Sequence, residues 1–338
     1  MDWYLAAPFI HDANDLWLTS FVPDATGRFH AVPAAYKHNR SRRIAGLGDW
    51  SDYFRHGARV WHAARQATVP SGILTCFPQL PLTIGLQKRL ARSDIPIVAW
   101  TFNVGTLYGG ARLRLAKTGL AAVNRFIVHS RAEIKTCSEW LNLPAERFQF
   151  VPLQRAVPEL QSAEDRQHPF ILSMGSAHRD YRLLFAVLAE LGLPAVVVAG
   201  AHAEQGLTVP VNVELRSGLS EDQCRALLQQ ARLNVVPVDN QTTASGQVTL
   251  LDAMMAARPA IVTACPASVD YVVDGIDAML VRHADHDHLK ASIQWLWDDE
   301  ALRTSMGAAA RNAAIDKYSD DAIGRAMGTV LREVAAAR

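Results

Sequence analysis

Apolar runs of strand length alternate with stretches of helical period along the whole chain. In the first 150 residues the strand-length runs are Trp3–Ile10, Gly72–Phe77, Ile95–Phe102 and Arg125–Val128. The helical stretches between them include Trp50–Ala67, Thr83–Arg92, Ala111–Ala122 and Ala132–Leu141. Alternation at these lengths predicts a parallel sheet with helices on both faces. A polar stretch with three prolines, Pro152–Pro169, reads as a linker. The alternation then resumes with strands at Phe170–Met174, Ala195–Ala199 and Val211–Leu215. Leu183, Leu184, Val187, Leu188 and Leu191 form the apolar face of one helix, and Ser220 opens another that ends near Ala231. Beyond Val281 the chain is helical.

The most informative stretch is Leu233–Val281. It begins with an apolar strand, Leu233–Val238, and a polar loop, Asp239–Gly246, after which Val248, Leu250, Leu251, Met254 and Met255 take helical spacing. A second strand (Ala260, Ile261, Val262) and the turn Asp274–Gly275 complete a βαβ unit. Ligands of open parallel sheets sit beyond the carboxyl ends of the strands. Ser245, Gly246 and the amides of Gln247, Val248 and Thr249 therefore read as an anion seat at a helix N-terminus. Asp252, about a turn and a half further on, is placed to accept from a ribose diol. The plain reading makes Ser245 an N-cap and Asp252 a solvated helix residue.

The same geometric rule selects other loops. In the first half these are His11–Asn14, Phe77–Pro81 (with Pro78) and Asn103–Gly110, which should line a cleft. In the second half, Gly175 and Ser176 turn the chain after its first strand, and Arg179 follows in a position to neutralise a diphosphate. A surface ion pair between Arg179 and Asp180 is the competing reading. Gly200, Ala201 and His202 follow the next strand, and Arg216–Leu219 the one after it. The long polar segment Asp15–Gly48, with His30, His38, Arg40, Arg42 and Arg43 among aromatics, reads as an acceptor-binding loop. Capping accounts for Ser130 and Glu133.

Composition narrows the class: 49% hydrophobic and 20% charged residues over 338 positions describe a globular chain with room for two cores. No run approaches the ~20 apolar residues of a membrane span, and the N-terminus lacks a signal-peptide pattern, so a cytoplasmic location is expected. Cys76, Cys137, Cys224 and Cys265 form no CxxC pair and read as free thiols. His283, His286 and His288 stand among Asp285 and Asp287 in a polar turn, and no metal site is assigned there. Residues 1–150 hold 18 Lys and Arg against 10 acids, and the remainder 16 against 23. That asymmetry suits a first half facing an anionic membrane surface, a lipid-phosphate acceptor or an acidic glycan. Nucleic acid is not expected as a partner.

The ordered series of strand, Pro, polar loop, small-Gly-x-x-x-Leu-Leu-Asp-Ala-Met, Arg-Pro, apolar strand and Asp-Tyr-Val-x-Asp-Gly resembles the nucleotide-sugar-binding half of GT-B glycosyltransferases, the GT4-like retaining group. Arg125–Val151 resembles the end of their N-terminal half. The resemblance implies an α/β GT-B fold: two Rossmann-like doubly wound parallel-sheet domains facing across a cleft. It divides the chain into 1–152, a linker 153–168, a nucleotide-sugar domain 169–316 and a helix 317–338 crossing back. It implies retaining, metal-independent transfer from a nucleoside-diphosphate-sugar co-substrate, without further cofactor, to a glycan, lipid-linked or small-molecule acceptor, in surface polysaccharide or glycoconjugate synthesis. Arg179 and Asn103 take the catalytic positions, with Asn103 where many relatives carry a histidine. Relatives usually carry two glutamates eight positions apart, and here those positions hold Ala244 and Asp252. That departure keeps open a scaffold without catalysis that binds nucleotide or a partner protein. A sugar-nucleotide 2-epimerase of similar fold is the third reading.

Overall fold

The computed structural model describes residues 1–36, 47–200 and 206–337. The chain divides into two compact units, Met1–Pro152 with Ile323–Arg338, and Leu153–Ala322. Each is built on one six-stranded, all-parallel sheet.

In the first unit the strands are β1 (Asp2–Ala6), β2 (Arg28–Ala31), β3 (Ser71–Cys76), β4 (Ile97–Trp100), β5 (Arg125–Val128) and β6 (Phe148–Phe150), in the order β2-β1-β3-β4-β5-β6. From β2 to β6 the chain moves in one direction across the sheet, so right-handed crossovers place every connecting helix on one face. These are α1 (Leu47–Gln66), α2 (Gln79–Leu90), α3 (Gly110–Leu120) and α4 (Arg131–Leu141). The step from β1 to β2 runs the other way, and its short 3-10 turns, Trp17–Phe21 and Asp24–Thr26, contribute to the opposite face. Alternation along the strands divides the core accordingly. Ile73, Ile97 and Phe126 pack under α1–α4, while Leu74, Val98 and Ile127 meet Leu18, Val22 and the last helix, α10 (Asp320–Ala336). Helices α2 and α3 touch through glycine: a Cβ on Gly85 would stand 2.1 Å from the Gly119 carbonyl oxygen.

Two expectations change here. The first strand ends at Ala6 rather than Ile10, because Pro8 has no N–H for a ladder. Asp15–Gly48 is not one loop, since it contains β2, paired with β1 from Asp2↔Arg28 to Leu5↔Ala31. Four residues with half-exposed alternation at a sheet edge carry little periodic signal. His38, Arg40, Arg42 and Arg43 lie outside the described residues, as do Ala201 and His202.

Two histidines of this unit are buried without charge. His56 donates from Nε2 to Val32 O (2.7 Å) and faces the Tyr36 hydroxyl through Nδ1 (3.2 Å), and His129 Nδ1 donates to Val151 O (2.8 Å). Burial drives both down to about 4, against the opposing pull of these carbonyl bonds. An unfolded chain therefore binds more protons than the folded one between about pH 4 and 6.5. Stability rises with pH across that window and is lost as pH falls through it, by up to about 1.4 kcal/mol per pH unit for each histidine. Urea titrations at several pH values check this. His56→Gln should flatten the slope by about one proton, and an unchanged slope would contradict the assignment.

In the second unit the strands are β7 (Ile171–Met174), β8 (Ala195–Val198), β9 (Val213–Arg216), β10 (Leu233–Val236), β11 (Ala260–Thr263) and β12 (Met279–Val281), in the order β12-β11-β10-β7-β8-β9. The helices are α5 (Tyr181–Leu191), α6 (Glu221–Gln230), α7 (Gln247–Met255), α8 (His286–Asp298) and α9 (Glu300–Tyr318). Ile171, Val197, Val235, Ile261 and Met279 pack with α5 and α8 residues in one core. The strand order reverses between β7 and β10, so the loops leaving their carboxyl ends part company there. That is the switch point where open α/β sheets hold ligands.

The stretch read as a linker is pinned to this unit along its length. Leu153 N donates to the Tyr271 hydroxyl (2.8 Å), Arg155 N to Tyr318 O (2.9 Å), and Gln161 N and Ser162 N both to Gln229 Oε1 (2.8 Å each). Glu164 pairs with Arg232 at 2.8 Å.

Candidate functional site

The loops after β7 and β10 are stitched together at the switch point. Asp180 N donates to Pro237 O (3.1 Å), Asp239 N donates to His178 O (3.2 Å), and Arg179 forms an antiparallel bridge with Val238. This backbone seam turns the Arg179 side chain inward over the start of α7. Its Nε donates to Met174 O (3.2 Å), Nη1 to Ala177 O (2.8 Å) and Nη2 to Thr249 Oγ1 (3.1 Å). Every one of these acceptors is neutral. Burial lowers the Arg179 pKa, but a guanidinium stays charged at neutral pH. The result is a half-buried cation with no carboxylate in hydrogen-bond contact among the described residues, Asp239 acting on it only at longer range. Withdrawing a cation from water is costly unless its donors are satisfied, and an anion satisfies them best. The ion pair with Asp180 does not form: Asp180 instead caps α5, accepting from Leu183 N at 3.0 Å.

Two glycines make the space. Gly175 has φ 114°, and a Cβ there would lie 2.6 Å from Arg179 Nη2. Gly246 has φ 86°, a left-handed value that disfavours any side chain, and its Cβ would meet Val238 Cγ2 at 2.9 Å. Gly246, not Ser245, is the N-cap of α7. The first bond along the helix runs from Leu250 N to Gly246 O (3.1 Å), so the amides of Val248 and Thr249 belong to the open first turn. Gln247 and Thr249 are buried and Val248 is exposed.

Asn240 is the residue that sequence reading missed. Its Oδ1 accepts from Thr242 N (2.9 Å), Thr242 Oγ1 (3.0 Å) and Thr243 N (3.2 Å), while Nδ2 donates to Thr243 Oγ1 (2.7 Å) and Ser245 Oγ (2.9 Å). One buried amide thus shapes the loop that delivers Gly246 to α7. The available signal was the run Asp239-Asn240-Gln241-Thr242-Thr243, a turn-forming composition.

Ser176 and Gly200 meet each other, with Gly200 N donating to Ser176 Oγ (2.7 Å), which ties the loop after β8 to the loop after β7. Asp252 projects from α7 into a cavity of about 450 Å3 bounded by α6, α7 and residues 155–161. Both its oxygens receive Arg155, at 2.5 Å from Nε and 2.9 Å from Nη2. It is therefore not a solvated helix residue. Burial raises its pKa, and Arg155 opposes that rise. Glu221, Cys224 and Leu228 of α6 and Met174 at the end of β7 line the same cavity.

The remaining residues singled out lie in the first unit. His11 Nδ1 contacts Ala34 O (3.1 Å), and Asn14 is exposed in a turn on Asp12. Pro78 precedes α2 at the end of β3. Asn103 accepts from Gly105 N through Oδ1 (2.9 Å), which leaves its Nδ2 as the group to donate outward. His286 and His288 take separate partners, Glu190 (3.1 Å) and Arg282 N (3.2 Å). All four cysteines are free. No helix of the described residues is long and apolar enough to cross a membrane.

Residues 168–299 match the family model described as glycosyl transferases group 1. No curated protein matches the sequence. Among solved structures, the chain is similar to sucrose-phosphate synthase from Thermosynechococcus elongatus, with 16% identity over 100% of each chain and a TM-score of 0.75. It is similar also to HepE of Anabaena in complex with UDP, with 13% identity, 98% of this chain and 100% of that one covered, and a TM-score of 0.71. A third is the lipopolysaccharide outer core galactosyltransferase WaaB, with 10% identity, coverage of 98% and 100%, and a TM-score of 0.67. At these identities the likeness carries the fold, which is that of GT-B glycosyltransferases.

Proposed function

We propose that this chain, which carries a group 1 glycosyltransferase domain, transfers a sugar from a nucleoside-diphosphate donor to an acceptor with retention of configuration. The observation that carries the reading is the half-buried Arg179 guanidinium, hydrogen-bonded to neutral acceptors alone at the switch point. A diphosphate supplies the missing negative charge. Its oxygens would take the two remaining guanidinium N–H groups and the amides that open α7, where the helix dipole also favours an anion. Negative charge grows on this group as the glycosidic bond breaks, so donors fixed in advance lower the barrier. The departing phosphate then assists deprotonation of the acceptor on the same face. No metal is assigned a part. Asn103, with His11, Asn14 and Pro78, is assigned to the acceptor, which is a glycan, a lipid-linked saccharide or a small molecule made at the cytoplasmic side.

Thermal unfolding with UDP, GDP, ADP, dTDP and CMP in turn tests the reading. UDP is the first probe because the similar HepE was crystallised with it. A ligand at about 100 times its dissociation constant adds about 2.7 kcal/mol to the folded state. Stabilisation by one diphosphate supports the proposal. Silence with all of them, and no product with sugar nucleotides, leaves the partner-binding scaffold as the better reading.

Asp252 is assigned to the ribose, with Arg155 fixing the plane of its carboxylate. Charge-assisted hydrogen bonds to the ribose should make a ribonucleoside diphosphate bind about 10- to 100-fold more tightly than its 2′,3′-dideoxy analogue. In Asp252→Asn this preference should collapse towards unity, as read by isothermal titration. Full retention of the preference would remove the ribose from Asp252.

A further inference from the structure

Helices α1, α2 and α3 lie side by side on one face of the first sheet, and their outer surface holds a strong excess of positive charge. From Leu47 to Leu120, the span of these three helices, the sequence contains nine Lys and Arg and three acids, Asp49, Asp52 and Asp94. Seven of the nine are exposed, among them Arg55, Arg65, Arg92, Arg112 and Arg114. Exposed apolar side chains share this layer: Phe54 at 46%, Leu90 at 84% and Leu115 at 51%, while Leu107 at 37% stands in the loop that leads into α3. On α3, Arg114 and Leu115 stand next to one another on the exposed stripe that also carries Ala111 and Thr118.

Basic charge alone suits any polyanion. The apolar residues decide between them. Leucines gain nothing from a nucleic acid or an acidic glycan, which offer no hydrocarbon, and aliphatic side chains do not stack on bases as aromatic ones do. They do gain at the boundary between lipid headgroups and acyl chains, where Arg at phosphates and Leu or Phe below them make an interfacial surface. We propose that the outer face of α1–α3 docks on an anionic lipid bilayer, with the arginines at the headgroups and Phe54, Leu90, Leu107 and Leu115 entering the acyl boundary. This assignment is independent of the nucleotide reading, which concerns the second unit. It fits an acceptor presented by the membrane.

Flotation of the full chain with vesicles tests it. The chain should float with vesicles of phosphatidylcholine and phosphatidylglycerol and stay behind with phosphatidylcholine alone. Binding should fall sharply in about 1 M salt, where the Debye length shrinks to about 3 Å. Arg112→Gln with Arg114→Gln should weaken partitioning on the order of 20-fold, at about fivefold for each cation removed from an anionic surface. Leu90→Ser with Leu115→Ser should also weaken it, although net charge is unchanged. All four positions are exposed, so unchanged melting temperatures are expected for both double variants. Failure of the wild type to float with anionic vesicles overturns the proposal. So does a leucine variant that floats as the wild type does while heparin captures both equally, since that outcome describes a site for soluble polyanions.

Discussion

Arg179→Ala is expected to abolish the thermal stabilisation that a nucleoside diphosphate confers, and to lower kcat/KM by about 100- to 1000-fold, the usual loss when a fixed donor to developing charge is removed. The side chain is a half-buried cation turned inward at the switch point, and its hydrogen-bond partners are all neutral. The substitution also strips Met174 O and the Thr249 hydroxyl of a donor, so the unliganded protein should lose about 1–3 kcal/mol. Arg179→Lys separates the two effects. It restores positive charge without the planar fork, and should recover part of the binding and little of the rate. Steady-state kinetics beside melting curves read both. A variant that melts early yet keeps full diphosphate stabilisation would make Arg179 a purely structural residue.

Asn240→Ala should be the more disruptive change for the fold. Five hydrogen bonds converge on this amide, and its loss takes a partner from the Thr242 and Thr243 amides and from the hydroxyls of Thr242, Thr243 and Ser245. A cost of about 2–4 kcal/mol in urea unfolding is expected for such a network. Asn240→Asp carries the functional half of the prediction. An aspartate keeps the three accepted bonds and places negative charge near Ser245, beside the N-terminus of α7. Folding should then be nearly unchanged while diphosphate affinity falls about tenfold, with the deficit shrinking as salt screens the repulsion. An Asn240→Asp protein with normal affinity at low salt would move the anion away from this helix end.

How much of this was legible beforehand depends on the range of the interaction involved. Strand β10, the loop after it and helix α7 could be read directly, because a change from continuous apolar run to 3.6-residue spacing is local. Gly246 likewise announced itself, although its left-handed φ and its packing against Val238 became visible only in three dimensions. Strand β2 escaped because its four residues gain their identity from pairing with β1, not from their own pattern. Pro152–Pro169 looked like a free linker because prolines and polar residues mark flexible connections, whereas its bonds go to residues as much as 163 positions away through Arg155 and Tyr318. Arg155 carried no local signal at all. Its partner, Asp252, lies 97 residues further on.

By itself the sequence determined the alternation of strands and helices, the two-core organisation and the family of residues 168–299, since each depends on periodicity or on motif order within a few tens of residues. Tertiary structure alone decided where the charged side chains point. Arg179 could have paired with its neighbour Asp180. The seam between the loops after β7 and β10 turns it inward instead, and Asp180 is taken by the cap of α5. The same holds for the basic helices of the first unit. Charge counts showed the excess, but crossover handedness gathers α1, α2 and α3 on one face and makes it a surface.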